Sequence, residues 1–316
     1  MIRKAYGIVC HGGAGTIVDK EASAEGLVPA LEAGYEVLTH NGTALDAVVE
    51  AVRVLEDNPV FNCGTGSSLT LDGRAEMDAS VMTHDGRFGG VGCIAGVRNP
   101  VLVARKVLEE TDHMLMCGEG AQAFARKLGF EEYDPVTPRA KLRLKKLLEK
   151  GESPYFPKFK QMLKLGTVGA AALDKWGRLA AATSSGGING RLRGRVGDSA
   201  LPGAGTFAGL RGAASCTGHG EVIIRLMLAR DVVRNMEKMS AQVAATMSLA
   251  EPGRRRELVG LVGIDVNGAV CYAHTTPDMS YGHKVWDRLF LFTQEKRTKG
   301  TADLKRLLQE QPGDAG

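Results

Sequence analysis

Gly166-Thr167-Val168-Gly169-Ala170-Ala171-Ala172-Leu173 lies at mid-chain, where a basic, proline-interrupted stretch gives way to an apolar run. Residues 150–166 carry Gly151, Pro154 and Pro157 and read as an exposed linker. Thr167–Leu173 and Leu179–Ser185 then flank a turn at Asp174–Gly177, which predicts a hairpin. A threonine therefore sits where a loose segment meets a rigid strand.

The same pattern recurs on either side. Residues 7–10 predict a short strand running into His11-Gly12-Gly13-Ala14-Gly15, and two helices follow. Asn41-Gly42 closes the first helix. Thr43 caps the second, with Asp46 in the capping-box position and Val48, Ala51, Val52 and Leu55 on one face. Asp72-Gly73, between Leu69-Thr70-Leu71 and Ala75–Met82, and Asp85-Gly86, leading into Phe88–Val97, predict further hairpins. Met77-Asp78-Ala79-Ser80 reads as a sheet strand. Helices are expected over 99–110, 118–128 and 139–149. A strand over 212–218 is expected to lead into one long helix from about His219 to Met247. Val259–Asp265 and Ala269–His274 flank Asn267-Gly268, the strongest hairpin signal in the chain. Paired hairpins with helices between them predict an α+β fold of two central sheets covered by helices.

Composition excludes several classes. The 316 residues include 41 glycines, well above the usual ~7%, with only 5% aromatics, as close backbone approaches require. No run nears eighteen apolar residues, so no spanning helix is expected. The apolar run after Met1 is too short for a secretory core, which predicts a cytoplasmic protein. The six cysteines form no C-x-x-C pair and read as free thiols. Between Thr137 and Leu165 there are nine Lys/Arg and two acids. This excess is larger than the whole-chain charge of +4, so the rest is net acidic. The block reads as a solvated face and not as a nucleic-acid site, because aromatics are sparse within it.

No phosphate loop and no G-x-S-x-G elbow is present. What remains is a set of hydroxyls and glycines: Ala182-Thr183-Ser184-Ser185-Gly186-Gly187, Gly194-Arg195-Val196-Gly197-Asp198-Ser199, and Cys216-Thr217-Gly218-His219-Gly220-Glu221. A hydroxyl is a poor nucleophile without an adjacent base. An α-amino group, with a pKa near ~7.7–8.0, is such a base. Thr167 acquires one only if the chain is cut before it. His11 and His219 read as structural.

These blocks resemble the plant-type asparaginase / isoaspartyl peptidase family of N-terminal-nucleophile hydrolases. The similarity runs from His11-Gly12-Gly13-Ala14-Gly15 through Asn62-Cys63-Gly64-Thr65-Gly66 to Thr217-Gly218-His219-Gly220-Glu221. It implies a single domain over 1–316 with a four-layer αββα sandwich. It also implies self-cleavage at Gly166–Thr167 into an α chain, 1–166, and a β chain, 167–316. Thr167 would be the nucleophile, with Asn62 near its amine and Ser185 supplying a second hydroxyl. Thr217 and the Gly218 N–H would form the oxyanion hole. Arg195 would hold the substrate α-carboxylate, and Asp198 with the Gly220 carbonyl its α-ammonium. The main-chain carbonyls of Leu55, Glu56, Asn58, Phe61, Cys63 and Thr65 would bind a structural sodium, and catalysis itself would need no cofactor. The implied substrates are asparagine and β-aspartyl peptides, and the implied assembly is a homodimer of αβ units, with no nucleic-acid or membrane partner. The family's usual residue at the second hydroxyl is threonine. Serine keeps the hydroxyl and loses the methyl that restrains its rotamer. A glycosylasparaginase-like activity and a weakly cleaving, aspartyl-binding precursor remain alternatives.

Overall fold

The computed structural model describes residues 5–149 and 166–292. Of the expected linker only Gly166 falls within them; the rest, with half of the basic block, lies outside the described residues.

In chain order, β1 (Gly7–Gly15) leads to α1 (Lys20–Thr39) and α2 (Ala44–Asp57). After them come β2 (Met77–Thr83), β3 (Phe88–Ile94), α3 (Pro100–Glu110), β4 (Leu115–Cys117), α4 (Gly118–Lys127) and α5 (Pro138–Glu149). The second half opens with β5 (Val168–Leu173) and β6 (Leu179–Ser185), then β7 (Thr206–Ala208) and β8 (Gly212–Gly218). Four short helices follow: α6 (Gly220–Leu226), α7 (Leu228–Asn235), α8 (Ala241–Ser248) and α9 (Ala250–Arg255). The last strands are β9 (Val259–Asp265), β10 (Val270–His274), β11 (Asp278–Val285) and β12 (Arg288–Leu291).

The strands form two sheets. The larger has eight strands in the order β12-β11-β1-β5-β6-β2-β3-β4, and the smaller has four in the order β10-β9-β8-β7. Every named pairing is antiparallel except β3 with β4. Side chains alternate across a strand, and the central strands separate two cores accordingly. Ile8, Cys10, Ala170, Ala172, Ala180 and Ala182 pack with Leu27, Leu31, Val48, Val52 and Leu55 of α1 and α2. Val9, Ala171 and Ala181 pack with Ala213, Val262 and Ile264 of the smaller sheet. Another cluster joins Cys216, Val259 and Leu261 to α6, α7 and α8. Each buried Val, Leu or Ile contributes roughly 1.5–3 kcal/mol. The alanines of β5 and β6 leave room for close packing on both faces.

The capping box predicted at Thr43 is present. Asp46 donates its N–H to Thr43 Oγ1 at 3.1 Å, and Thr43 donates its N–H to Asp46 Oδ2 at 3.0 Å. The expected free thiols are also seen: all six cysteines are unpaired, and all but Cys117 are buried.

Three expectations need correction. The first strand does not stop at residue 10. It continues to Gly15, because a register shift between His11 and Gly13 and the positive φ of Gly13 and Gly15 absorb the irregularity. Leu69–Leu71 is not a hairpin strand. Asp72-Gly73 closes a tight loop, in which Thr70 N–H donates to Arg74 O and Gly73 N–H to Thr70 O, and Thr70 then bridges Arg191. The long helix after Gly218 is broken into pieces. Met227 takes φ +50 and ends α6, and α8 starts only after Ser240.

Candidate active site

Thr167 stands one residue ahead of β5, between β1 and β6 in the larger sheet. It is nearly buried, and its Oγ1 lies 3.0 Å from Ser185 Oγ at the end of β6. Ser185 Oγ also accepts the Gly187 N–H at 3.0 Å, which fixes one lone pair. The peptide bond before Thr167 is held closely. Gly166 O accepts the Asn62 N–H at 3.2 Å. A Cβ on Gly13, whose φ is +115°, would meet Gly166 Cα at 2.6 Å, so only glycine admits this approach. Asn62 is itself pinned: Nδ2 donates to Gly187 O at 2.7 Å and Oδ1 accepts the Ser68 N–H at 2.7 Å.

Asn62, Gly166, Thr167, Ser185, Gly187, Ile188, Arg195, Asp198, Gly218 and Gly220 line one cleft. Nearly all the residues proposed for nucleophile, scissile bond and head binding are thereby brought together, although they come from separate segments. Thr217 does not line it. It is fully buried and its Oγ1 accepts the Ala14 N–H at 3.2 Å. A hydroxyl that accepts still has its own proton to donate. Gly218, at the end of β8, has φ +129° and would set a Cβ 2.5 Å from Leu258 O. Gly220 packs against the charged pair, where a Cβ would meet Arg195 Nη2 at 2.6 Å and Asp198 Oδ1 at 2.8 Å.

Arg195 and Asp198 thus flank one backbone position, but the ion pair of Arg195 is with Glu221. Arg195 Nε donates to Glu221 Oε1 at 2.9 Å, and Nη2 lies 2.9 Å from the same oxygen. His219 Nε2 stands 3.2 Å from Glu221 Oε2. Burial works against the charge on Glu221, but His219 and Arg195 outweigh it and hold the carboxyl down at about 2. Asp198 is buried, and Oδ2 has no hydrogen-bond partner. Burial pushes its acid up to about 7, with Arg195 pulling the other way. A cation beside it would favour the carboxylate.

His11 is fully buried with Nε2 2.9 Å from Ser215 Oγ. Burial pushes its pKa down to about 3, so the ring is neutral and supports the sheet interface. Sequence reasoning did not single out Glu221, although it closes one of the quoted blocks, nor Asp78, whose strand gave no sign of its contacts.

Among the described residues, no group of three His, Cys, Asp or Glu side chains is arranged to hold a metal. The loop after α2 offers backbone oxygens instead. The carbonyls of Glu56 and Asn58 each accept one N–H, from Thr65 and Phe61, while Leu55 O accepts the Asn58 N–H at 3.2 Å and the weak Cys63 S–H donor at 3.4 Å. The Phe61 and Pro59 carbonyls converge beside Gly66, 2.9 and 2.8 Å from where its Cβ would stand. Neutral oxygens packed this way suit a singly charged hard cation.

The asparaginase family profile matches residues 4–289. The chain is 48% identical to a plant-type L-asparaginase of Thermococcus kodakarensis, over 87% of this chain and 94% of the relative. It is 43% identical to an isoaspartyl peptidase/L-asparaginase of Danio rerio, over 87% and 90% of the two chains. It is 40% identical to an isoaspartyl peptidase of Escherichia coli, over 88% and 92%.

Proposed function

Since the chain belongs to the asparaginase family, we propose that it hydrolyses L-asparagine and β-aspartyl dipeptides with Thr167 as an N-terminal nucleophile. The observation that carries this reading is the convergence of the Thr167–Ser185 hydroxyl pair with Arg195 and Asp198 in one cleft. The relatives' names supply the substrate class.

Self-cleavage comes first. Thr167 Oγ1 attacks the Gly166 carbonyl carbon, and the Asn62 N–H stabilises charge on the oxygen it already contacts. The C–N bond breaks, the nitrogen takes the proton, and water hydrolyses the resulting ester. This leaves a carboxylate on Gly166 and a free amine on Thr167. That amine, with an ordinary pKa near ~7.7–8.0, is the base for the Thr167 hydroxyl.

In turnover, Arg195 takes the substrate α-carboxylate in a forked contact that lysine does not reproduce. Asp198, with the Gly220 carbonyl, takes the α-ammonium. Thr167 Oγ1 attacks the side-chain amide carbon. The Thr217 O–H and Gly218 N–H donate to the developing oxyanion, each donor contributing about 10²–10³ in rate. Ammonia or the peptide amine leaves with the proton held by the Thr167 amine. Water then hydrolyses the β-aspartyl ester and aspartate departs.

The segregated cores on the two faces of the larger sheet support a four-layer αββα arrangement. The carbonyls of Leu55, Glu56, Asn58, Phe61, Cys63 and Thr65 would hold a sodium ion as a purely structural brace. Exchanging sodium for choline would then lower the melting temperature, and an unchanged value would remove the ion from the scheme.

Intact-mass measurement over time tests the central claim. The parent should split at Thr167 and then hydrolyse asparagine and a β-aspartyl dipeptide, with a glycosylated asparagine assayed beside them. Thr167→Ala should do neither. A Thr167→Ala protein that still splits and still hydrolyses would end the proposal.

A further inference from the structure

Asp78 lies in β2, directly opposite Ser185 on β6. On its other side the ladder with β3 slips. Met77 pairs with Ile94 and Ala79 with Val91, so two residues, Gly92 and Cys93, lie opposite Asp78. Cys93 takes φ +50°, an unusual conformation for a residue with a side chain. Its N–H, turned out of the ladder, donates to Asp78 Oδ1 at 2.9 Å. The other oxygen, Oδ2, accepts the Gly197 N–H at 2.8 Å. Gly197 stands between Arg195 and Asp198 in the chain, and Asp78 is only 2% exposed. A Cβ on Gly197 would meet Arg195 Nη1 at 2.8 Å and Asp78 Oδ2 at 3.1 Å, so the guanidinium packs over this same point.

We propose that Asp78 is the positioning residue for the aspartyl head: by accepting the Cys93 and Gly197 N–H groups at once, it fixes the loop that carries Arg195 and Asp198. This rests on the reading of Arg195 and Asp198 as the head-binding pair. A carboxylate accepts at both oxygens, whereas an amide presents one acceptor and one donor. Asparagine at 78 would therefore set N–H against N–H at one of the two contacts. Burial holds the Asp78 acid above its ordinary value, and the two N–H donors with the nearby Arg191 and Arg195 offset this only in part. The two donated hydrogen bonds themselves require an acceptor at each oxygen. The β-bulge thus serves the cleft, since without the turned Cys93 N–H the carboxylate would be held from one side only.

The test compares parent and Asp78→Asn in three ways: splitting at Thr167 by intact mass, L-aspartate affinity by calorimetry, and hydrolysis of para-nitrophenyl propanoate. That ester reaches Thr167 but has neither α-carboxylate nor α-ammonium. Splitting and ester hydrolysis should stay within about twofold, while the aspartate Kd rises about 10- to 100-fold, as expected for a disrupted charge-assisted hydrogen bond. Unchanged aspartate affinity in the split variant overturns the proposal. A parallel loss of all three properties also overturns it, because Asp78 then only supports the fold. Should Asp78→Asn not fold, Asp78→Ser takes its place, and failure of both to fold counts against the proposal. Arg195→Ala binding aspartate as tightly as the parent would instead refute the head-binding reading itself.

Discussion

Glu56→Gln removes an ionisation but keeps the shape of a carboxyl group that the fold buries completely. Glu56 Oε1 accepts from Ser184 Oγ at 2.6 Å and from the Val101 N–H at 3.0 Å, while Oε2 is buried without a hydrogen-bond partner. Burial pushes the acid from 4.5 up to about 8, and these hydrogen bonds only partly offset it. Between those two values the folded chain keeps a proton that the unfolded chain has released. Stability contributed by this group is therefore full below pH 4.5 and is lost as pH rises towards 8. The loss runs at about 1.4 kcal/mol per pH unit. Glutamine has no such slope. The variant should match the parent near pH 5 and exceed it by about 3 kcal/mol at pH 7. Urea unfolding between pH 5 and 8, in a Thr167→Ala background and a choline buffer, measures this on a single uncut chain. A stability difference that stays constant over the range would refute the reasoning, since Glu56 would then be charged in the folded state. Adding sodium should flatten the slope if the neighbouring carbonyls bind it.

Asp198 should impose a pH dependence on binding. With an acid near 7 in the free protein, aspartate affinity in Thr167→Ala should fall about tenfold per pH unit below that value and level off above it; calorimetry at several pH values checks this, and Asp198→Asn should abolish the dependence. Ser185→Ala should slow splitting at Thr167 about tenfold or more, because the 3.0 Å hydroxyl contact is lost. Ser185→Thr, which keeps that contact, should split at least as fast as the parent by intact mass. Arg195→Lys should raise the KM for asparagine about 10- to 100-fold with a smaller change in kcat, since one fork of the carboxylate contact is lost.

What the sequence discloses here follows the range of the interactions. The Thr43–Asp46 capping box and the turns at Asp85-Gly86 and Asn267-Gly268 depend on a few neighbouring residues, and all can be read in advance. The break at Met227 depends on how α6 and α7 pack beside the smaller sheet, and the apolar spacing over 219–247 carries no trace of it. Glycine is a poor strand former, so Gly12, Gly13 and Gly15 hide the continuation of β1. Within the site, residue types were legible but partners were not. The three-residue spacing of Arg195 and Asp198 suggests a pair, whereas the guanidinium turns to Glu221, brought in from the start of α6. Asp78 shows nothing in sequence, because its two donors lie 15 and 119 residues away.

The strand order of the larger sheet decides what a break before Thr167 can release. Strand β1 lies between β11 and β5, and β2 follows β6, so pieces from before and after the break alternate across one hydrogen-bonded ladder. Neither fragment holds the larger sheet complete, although the second carries all four strands of the smaller one. The two would stay interwoven without any covalent tie, would co-purify on an affinity tag at either end, and would part only when the whole ladder melts. Once separated, each would have to find its missing strands in another molecule, so thermal inactivation of the cut form should be far harder to reverse than that of the uncut chain.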